Sequence, residues 1–187
     1  MNAFDRISEK YKEKSLVCNS ALQWFSDPDR AIAAIFNSLK KSGKLGLACP
    51  ATSNWSPWFG RIIPKVTENR EIKRIFSHWK NPWFHLPTEK DYRLFFEKHG
   101  FVTIFMGIDH EQTDYSIEEA FNIYLSGAAN GYTGKKYYDI EIDDGYIAAF
   151  NDKVKKEIMR QSNDGFQSAL LHRHKVKMMG LIERKGN

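Results

Sequence analysis

The feature that most constrains the fold is a pattern of strand, helix and strand within residues 16–50. Residues 16–18 are apolar and precede Asn19 and Ser20, which favour a turn, so a strand is predicted to end there. Residues 44–50, KLGLACP, have apolar residues at alternate positions before the final proline, which predicts a second strand. Such a connection makes a crossover between parallel neighbours in an α/β sheet. A hairpin with a stray helix is the alternative.

The segment between these two strands carries the signals of a helix. Ser26 or Asp27 is suited to the N-cap, and Pro28 to the first helical position. The apolar residues that share one helical face are Ala31, Ile32, Ile35, Phe36 and Leu39. We expect the helix to end at Lys40–Lys41 and Gly43, because cations favour the negative end of the helix dipole and glycine can turn left-handed.

Composition limits the class of protein. With 187 residues, of which 42% are hydrophobic, the chain can bury one ordinary core, so a single folded domain is predicted. The sequence has no run of about 20 apolar residues that would cross a membrane, and residues 1–15 lack the apolar centre of a signal peptide. A cytoplasmic protein without a membrane partner is therefore expected. Cys18 and Cys49 lie in two predicted strands without metal-site spacing, which indicates packed free thiols.

Charge and histidine spacing argue against two further classes of site. The formal net charge is +5, but basic and acidic residues alternate over most of the chain, which is typical of a solvated surface. No nucleic-acid partner is expected, since the sequence shows no base-reading or stacking signature. His172 and His174 share one face of a predicted strand, yet no third ligand lies near them in the sequence, so no metal site is predicted.

The remainder of the chain mixes loops, helices and two strands. Capping boxes of Thr88 with Asp91 and of Ser116 with Glu119 predict two helices, of which the first ends at Gly100 and the second near Gly127. The other predicted elements are a strand over residues 101–109, a helix over about residues 146–160 and a terminal strand within residues 168–185. Four strands and about five helices are predicted in total.

Two long motifs resemble a known family. Residues 19–50, NSALQWFSDPDRAIAAIFNSLKKSGKLGLACP, are similar to the fourth strand, the following helix and the fifth strand of class I S-adenosylmethionine-dependent methyltransferases. The subgroup that they resemble most is the trans-aconitate and malonyl-carrier-protein carboxyl methyltransferases. The likeness continues through residues 86–127, LPTEKDYRLFFEKHGFVTIFMGIDHEQTDYSIEEAFNIYLSG, and into the terminal strand. The order of these motifs along the chain resembles that of the family over roughly residues 16–185.

The resemblance implies a fold and an organisation. The family sheet has the order 3-2-1-4-5-7-6 with an antiparallel last strand, so the four predicted strands are its strands 4, 5, 6 and 7. The implied fold is α/β, a partial Rossmann-like class I methyltransferase sheet of about four strands with a helical lid. The expected parts of this one truncated domain are an N-terminal helix (1–15), strand-helix-strand (16–50), a helical pocket wall (51–100), and a strand, the lid and the terminal strand (101–187).

The family's main cofactor motif is missing from the sequence. The family holds S-adenosylmethionine at a glycine-rich turn after its first strand, whereas this chain has 12 glycines and no G-x-G. Residues 4–15, FDRISEKYKEKS, resemble the helix that precedes that first strand, and their apolar spacing predicts an amphipathic helix over residues 3–14. We therefore expect an internal deletion of strands 1 to 3, on the order of 75 residues or more, because each βαβ unit needs at least about 30.

The resemblance also implies site residues. Asn19, Ser20, Ala21 and Leu22 match the segment that borders the reactive end of the cofactor, S-adenosylmethionine. The alternative is that these four residues form only a turn that leads into a helix.

The methyl acceptor implied by the resemblance is a small carboxylic acid. Trp24 is a candidate platform for it, although an anchor in the core is the alternative. The basic residues that are candidates to attract its charge are Arg61, Lys65, His85 and Arg93, for which a solvated surface is the alternative. Transfer to a carboxylate requires alignment rather than proton transfer, so no catalytic residue is assigned.

Two functions remain open from the sequence. The chain is either a methyltransferase that acts on a small carboxylic acid, with little or no activity in isolation, or a noncatalytic remnant that binds a small ligand or a partner. The strand at residues 16–18 would be central in the complete family fold, and here the family's first strand is missing beside it. A homodimer that pairs residues 15–20 of two copies is therefore predicted.

Overall fold

The computed structural model describes residues 13–163 and 171–185, which form a mixed α/β fold. The strands are β1 (Glu13–Asn19), β2 (Leu39–Pro50), β3 (Phe101–Tyr115) and β4 (Leu171–Arg184). The helices are α1 (Pro28–Ser38), α2 (Pro57–Thr67), α3 (Arg70–Phe76), α4 (Glu89–Lys98), α5 (Ile117–Ile123), α6 (Ala129–Thr133) and α7 (Asp144–Asn163). Within these residues, no helix combines the length and the apolar character needed to cross a membrane.

The sheet has the strand order β1-β2-β4-β3. β1 pairs with β2 in parallel, and β2 pairs with β4 antiparallel. The crossover from β1 through α1 to β2 is therefore confirmed, and the alternative of a hairpin is wrong. The order 4-5-7-6 implied by the family resemblance is the order observed, with the antiparallel strand in the expected place. The predicted fold class, α/β with a mixed sheet of four strands, is confirmed.

The start of α1 follows its local sequence, but its end does not. Asp27 caps the helix by accepting a hydrogen bond from the backbone of Arg30 at 3.0 Å. The predicted end at Lys40–Lys41 and Gly43 is wrong, because α1 stops at Ser38 and β2 already begins at Leu39.

Arg184 of β4 explains the early end of α1. Its Nη1 donates to the backbone oxygens of Phe36, at 3.0 Å, and of Leu39. Its guanidinium also lies over the Phe36 ring, 4.5 Å from the centroid. The carbonyl groups at this helix end are thus satisfied by a side chain, so a left-handed glycine after the helix is not needed. The left-handed residue in this region is Ser42, with φ 58°.

Both predicted capping boxes are present. The Thr88 hydroxyl accepts from the Asp91 amide at 3.2 Å, and the Asp91 carboxylate accepts from the Thr88 amide at 3.1 Å. Ser116 and Glu119 form the same reciprocal pair at the start of α5. The predicted end near Gly127 is wrong, because α5 continues through the π-helical turn Tyr124–Ala128 into α6.

Four predicted elements are shorter than the observed ones. β3 runs to Tyr115 instead of residue 109, α7 covers Asp144–Asn163, β1 starts at Glu13, and β2 starts at Leu39 instead of residue 44. The predicted N-terminal helix therefore overlaps β1 at residues 13 and 14, and its remaining residues, 3–12, lie outside the described part of the chain.

The described residues fall into two compact units. The first unit comprises residues 13–55, 83–110 and 175–185, and the second comprises residues 56–82, 111–163 and 171–174. The single truncated domain stays a prediction. In the first unit, the largest fully buried side chains of the core between the sheet, α1 and α4 are Leu22, Ile32, Leu39, Leu45, Tyr92, Phe96 and Phe101.

The second unit has an aromatic core between helices. Phe150 of α7 stacks on Phe76 of α3 with ring centroids 5.6 Å apart, and on Tyr132 of α6 at 6.3 Å. The Tyr138 hydroxyl donates to the Tyr132 backbone oxygen at 2.5 Å and lies 3.1 Å from the Tyr146 hydroxyl, so these polar groups are hydrogen-bonded within the core. The unit is thus held together mainly by the packing of rings from different helices.

Gly100 is the position where the backbone of the first unit most requires glycine. Its φ is +89°, and a Cβ there would lie 2.9 Å from Cε2 of Phe36. We expect Gly100→Ala to lower the free energy of unfolding by about 2 kcal/mol, from backbone strain and displacement of the ring. Thermal unfolding should show a loss of roughly 4–8 °C.

Gly127 provides a matched control for this substitution. It lies in the π-helical turn, and a Cβ there would have no neighbour within 4 Å. Gly127→Ala should leave the melting temperature unchanged or raise it slightly, because alanine favours helical backbone. Equal losses in the two variants would contradict the assignment of strain to Gly100.

Candidate functional site

The segment matched to the cofactor site lies where β1 ends. Asn19 is the last residue of β1 and is exposed, and the exposed Ser20 follows with φ 51°. The Ser20 hydroxyl donates to Oδ1 of Asn19 at 3.4 Å. Ala21 is partly buried, and the buried Leu22 starts a short 3₁₀ turn that ends at Trp24. The alternative of a turn that leads towards a helix describes this local geometry well.

The backbone donors of this segment point into the protein. The Ser20 amide donates to the Ala48 oxygen of β2 at 2.7 Å, and the Trp24 amide donates to the Ala21 oxygen at 2.9 Å. Burial raises the pKa of the Cys18 thiol, and backbone hydrogen bonds from Leu22 and Ala21 oppose that rise. The amides that follow β1 are therefore already used within the protein.

This arrangement bears on whether the segment fits S-adenosylmethionine. The exposed carboxamide of Asn19 is available to a ligand, but the neighbouring amides are not. A glycine-rich turn that would let a ligand approach the backbone is also missing from the sequence. The described residues do not form a complete binding site for this cofactor.

Gln23 is a polar residue of this region that the sequence patterns did not single out. Its side chain is only 6% exposed, and its Nε2 donates to the Ser20 oxygen at 2.8 Å. Its Oε1 is buried and has no hydrogen-bond partner among the described residues. The sequence feature that could have identified it is that Gln23 is the one polar residue among residues 21–25, ALQWF.

Trp24 belongs to a group of three indole rings, called here the tryptophan cluster. The ring of Trp83 lies 5.8 Å from that of Trp24 and 6.4 Å from that of Trp55, measured between centroids. All three side chains are partly buried. Trp24 is therefore not a fully buried core anchor, and Trp55 and Trp83 are members that sequence patterns alone did not select.

Residues 83–86, called here the strap, are fixed across the carboxyl ends of β1 and β2. The Phe84 amide donates to the Gln23 oxygen at 2.8 Å, after β1. The Leu86 amide donates to the Tyr92 hydroxyl at 3.3 Å, and that hydroxyl donates to the Ala51 oxygen, after β2. The strap therefore brings Trp83 and His85 to the same end of the sheet as Asn19–Leu22.

His85 is an uncharged histidine at neutral pH. Burial lowers the pKa of His85 from 6.5 to about 4. Its Nε2 is buried and has no hydrogen-bond partner in the described part of the chain. The imidazole can therefore donate or accept one hydrogen bond, but it cannot attract an anion through a net charge.

The other predicted basic residues are placed differently. Arg93 of α4 pairs with Glu89 one turn earlier, with 3.3 Å between Nη2 and Oε1. Arg61 is exposed on α2 in the second unit, and Lys65 of the same helix pairs with Glu68 at 2.7 Å. Their roles in binding an acceptor remain predictions.

The histidine, cysteine and acidic side chains of the described chain do not gather into a metal site. Within residues 13–163 and 171–185, no group of three or more of them could hold a metal ion. His172 and His174 lie in β4, but their side chains are not described. Cys18 and Cys49 are both buried free thiols, as expected.

Comparisons with known proteins give matches to solved structures alone. No family model matches the sequence, and no curated protein matches it. A candidate methyltransferase of Bacillus halodurans is 10% identical with a TM-score of 0.49, and covers 94% of this chain and 65% of its own. A methyltransferase of Methanosarcina mazei described as S-adenosylmethionine-dependent is 11% identical with a TM-score of 0.43, over 97% of this chain and 65% of its own.

A third similar structure contains ligands. Phosphoethanolamine N-methyltransferase 2 of Haemonchus contortus, in complex with phosphomonomethylethanolamine and S-adenosylhomocysteine, is 12% identical with a TM-score of 0.40. The match covers 96% of this chain and 36% of that protein. The chain thus spans between 36% and 65% of the length of these three proteins.

Proposed function

We propose that this chain is a protein related to the class I S-adenosylmethionine-dependent methyltransferases that binds a small carboxylic acid and has little or no activity by itself. The strand order β1-β2-β4-β3, with β4 antiparallel to β2, carries this proposal. It is the order that the sequence resemblance implied for strands 4, 5, 7 and 6 of that family. The resemblance of residues 19–50 and 86–127 to the carboxyl methyltransferases supports the choice of acceptor.

The ligand would bind at the carboxyl ends of β1 and β2. The tryptophan cluster offers ring faces for the carbon skeleton of the ligand. The buried Nε2 of His85 and Oε1 of Gln23 have no partner among the described residues, so each is able to form one further hydrogen bond. As a donor, neutral His85 would orient one oxygen of a carboxylic acid without proton transfer.

Methyl transfer itself is not assigned to this chain alone. The reaction requires the carboxylate to be aligned with the methyl donor, so the donor must first be bound. The amides after β1 are used within the protein, and the sequence contains no G-x-G. The same observation favours a second function, a noncatalytic protein that uses this site only to bind a small ligand or a partner.

The cofactor part of the proposal is tested by calorimetry. We expect S-adenosylmethionine to give no saturable heat at micromolar concentrations of the isolated protein, because the segment after β1 offers few donors. Radiolabelled cofactor should give no methyl transfer to trans-aconitate. Micromolar binding that is lost in Asn19→Ala would contradict this expectation and favour an active methyltransferase.

The ligand site is tested separately with trans-aconitate as the probe. The change in tryptophan fluorescence on titration should saturate for the unchanged protein. Trp83→Ala and His85→Leu should each weaken the apparent affinity about tenfold, the loss expected for one contact of roughly 1.4 kcal/mol. His110→Gln, an exposed substitution on β3, is the control and should bind as before. No saturation, or equal effects in all three variants, would exclude this site.

A further inference from the structure

The outer edge of β1 is an open strand edge in the described structure. β1 is the first strand of the order β1-β2-β4-β3, and β2 is its one neighbour among the described residues. Val17, in the middle of β1, is 79% exposed, and Ser15 and Asn19 are exposed on the same face. The apolar, β-branched Val17 is therefore exposed at a strand edge whose backbone groups are able to pair with another strand.

The hydrogen-bond pattern shows which backbone groups face this edge. The Ser20 amide donates to the Ala48 oxygen of β2 at 2.7 Å. In a parallel ladder, alternate residues direct both N–H and C=O to the same neighbour. The even residues, such as Cys18, therefore face β2, and the odd residues Ser15, Val17 and Asn19 present N–H and C=O at the open edge.

The features that usually protect an open edge are confined to one end of β1. The charged residues Glu13 and Lys14 and the irregularity in pairing between Glu13 and Ser15 lie at its start. Residues 15–19, SLVCN, contain no charge and no proline, and their pairing with β2 is regular. An edge of this kind is a template for pairing with a further strand, because a strand can satisfy a ladder of backbone groups that a covering helix or loop would leave unpaired.

We propose that the partner is a second copy of this chain, with its β1 antiparallel to the first about a two-fold axis at Leu16. This register places Val17 opposite Ser15 of the second copy and Glu13 opposite Asn19. Odd residues then lie opposite odd residues, so the N–H and C=O groups at the two open edges form hydrogen bonds with each other. Lys14 faces Cys18, so no like charges are opposed. The two four-stranded sheets become one continuous sheet. This inference does not depend on the proposed function.

The oligomeric state tests the proposal directly. Light scattering during size-exclusion chromatography should give the full-length protein twice the mass of one 21.8 kDa chain at tens of micromolar. Val17→Pro removes an N–H that faces the open edge and leaves the ladder to β2, so it should give a single chain with an unchanged far-ultraviolet circular dichroism spectrum. Val17→Lys, which places a charge at the edge, should do the same and covers the case in which the proline variant fails to fold.

Two controls test whether the edge of β1 itself forms the dimer. Val102→Lys, at a position 44% exposed on β3, should remain a dimer. A full-length protein that is a single chain, or a dimer that persists in Val17→Lys, would overturn the proposal. A single chain that dimerises only after residues 1–12 are removed would assign the edge to this chain's own N-terminus, and would overturn it as well.

Discussion

Between pH 6.5 and pH 4, the protein is expected to lose about 2 kcal/mol of stability through His85, because burial lowers the pKa of this imidazole from 6.5 to about 4 and solvent screens part of the effect. Below pH 6.5 the histidine of the unfolded chain takes up a proton, whereas the buried ring of the folded protein stays neutral. The unfolded state then binds more protons, so stability falls as the pH falls. Below about pH 4 the folded protein is protonated too, and the loss stops.

Urea unfolding of the unchanged protein and of His85→Gln at pH 7 and pH 4.5 measures this effect. Glutamine does not titrate, so the variant should lose less stability over this range by roughly 2 kcal/mol. His110→Gln is the control, since His110 is exposed on β3, and it should keep the pH dependence of the unchanged protein. Parallel curves for the unchanged protein and His85→Gln would show that His85 titrates normally.

Arg184→Ala is expected to lower the free energy of unfolding by about 3 kcal/mol, because two backbone carbonyls lose a charged donor. Nη1 donates to the oxygens of Phe36 and Leu39, and the guanidinium lies 4.5 Å from the Phe36 ring centroid. The melting temperature should fall by roughly 6–12 °C. Arg184→Lys should have a stability between those of the unchanged protein and Arg184→Ala, since a lysine keeps the charge but cannot present the same planar group.

Arg160→Ala is the matched control for Arg184. The Arg160 side chain is 52% exposed and pairs with Glu157 three residues earlier on α7, at 2.8 Å. Glu157 is only 12% exposed but keeps a hydrogen bond from Gln161 at 2.9 Å, so loss of this pair, whose cation is exposed, should cost about 1 kcal/mol. If Arg184→Ala costs no more than Arg160→Ala, the proposed role of Arg184 at the end of α1 is wrong.

The elements that the sequence predicted correctly are those whose signals lie within a few residues. The capping boxes at Thr88 and Ser116 join side chains three residues apart, and the Asp27 cap reaches Arg30. The alternation of residues 44–50 likewise identified β2. Caps and hydrophobic periodicity depend only on the residue types at nearby positions, so they can be predicted without knowledge of the fold.

The candidate site was predictable only in part, because only some of its residues are neighbours along the chain. Asn19 ends β1, and Ser20–Leu22 and Trp24 follow it directly in the sequence, so the motif marked that end of the strand. Trp83 and His85 reach it through the strap, which is held by Gln23 and by Tyr92. The shift of the His85 pKa comes from burial, which no local pattern displays.

The sequence by itself determined the strand-helix-strand core and the starts of α1, α4 and α5, because these depend on neighbours along the chain. The tertiary structure decided where α1 ends, since the side chain that satisfies its carbonyls belongs to Arg184, about 150 residues further along. It also decided that the amides after β1 turn inward, towards Ala48 and Cys18, and that the odd residues of β1 face an open edge. These features depend on which strands become neighbours, and strand pairing joins residues that are distant in sequence.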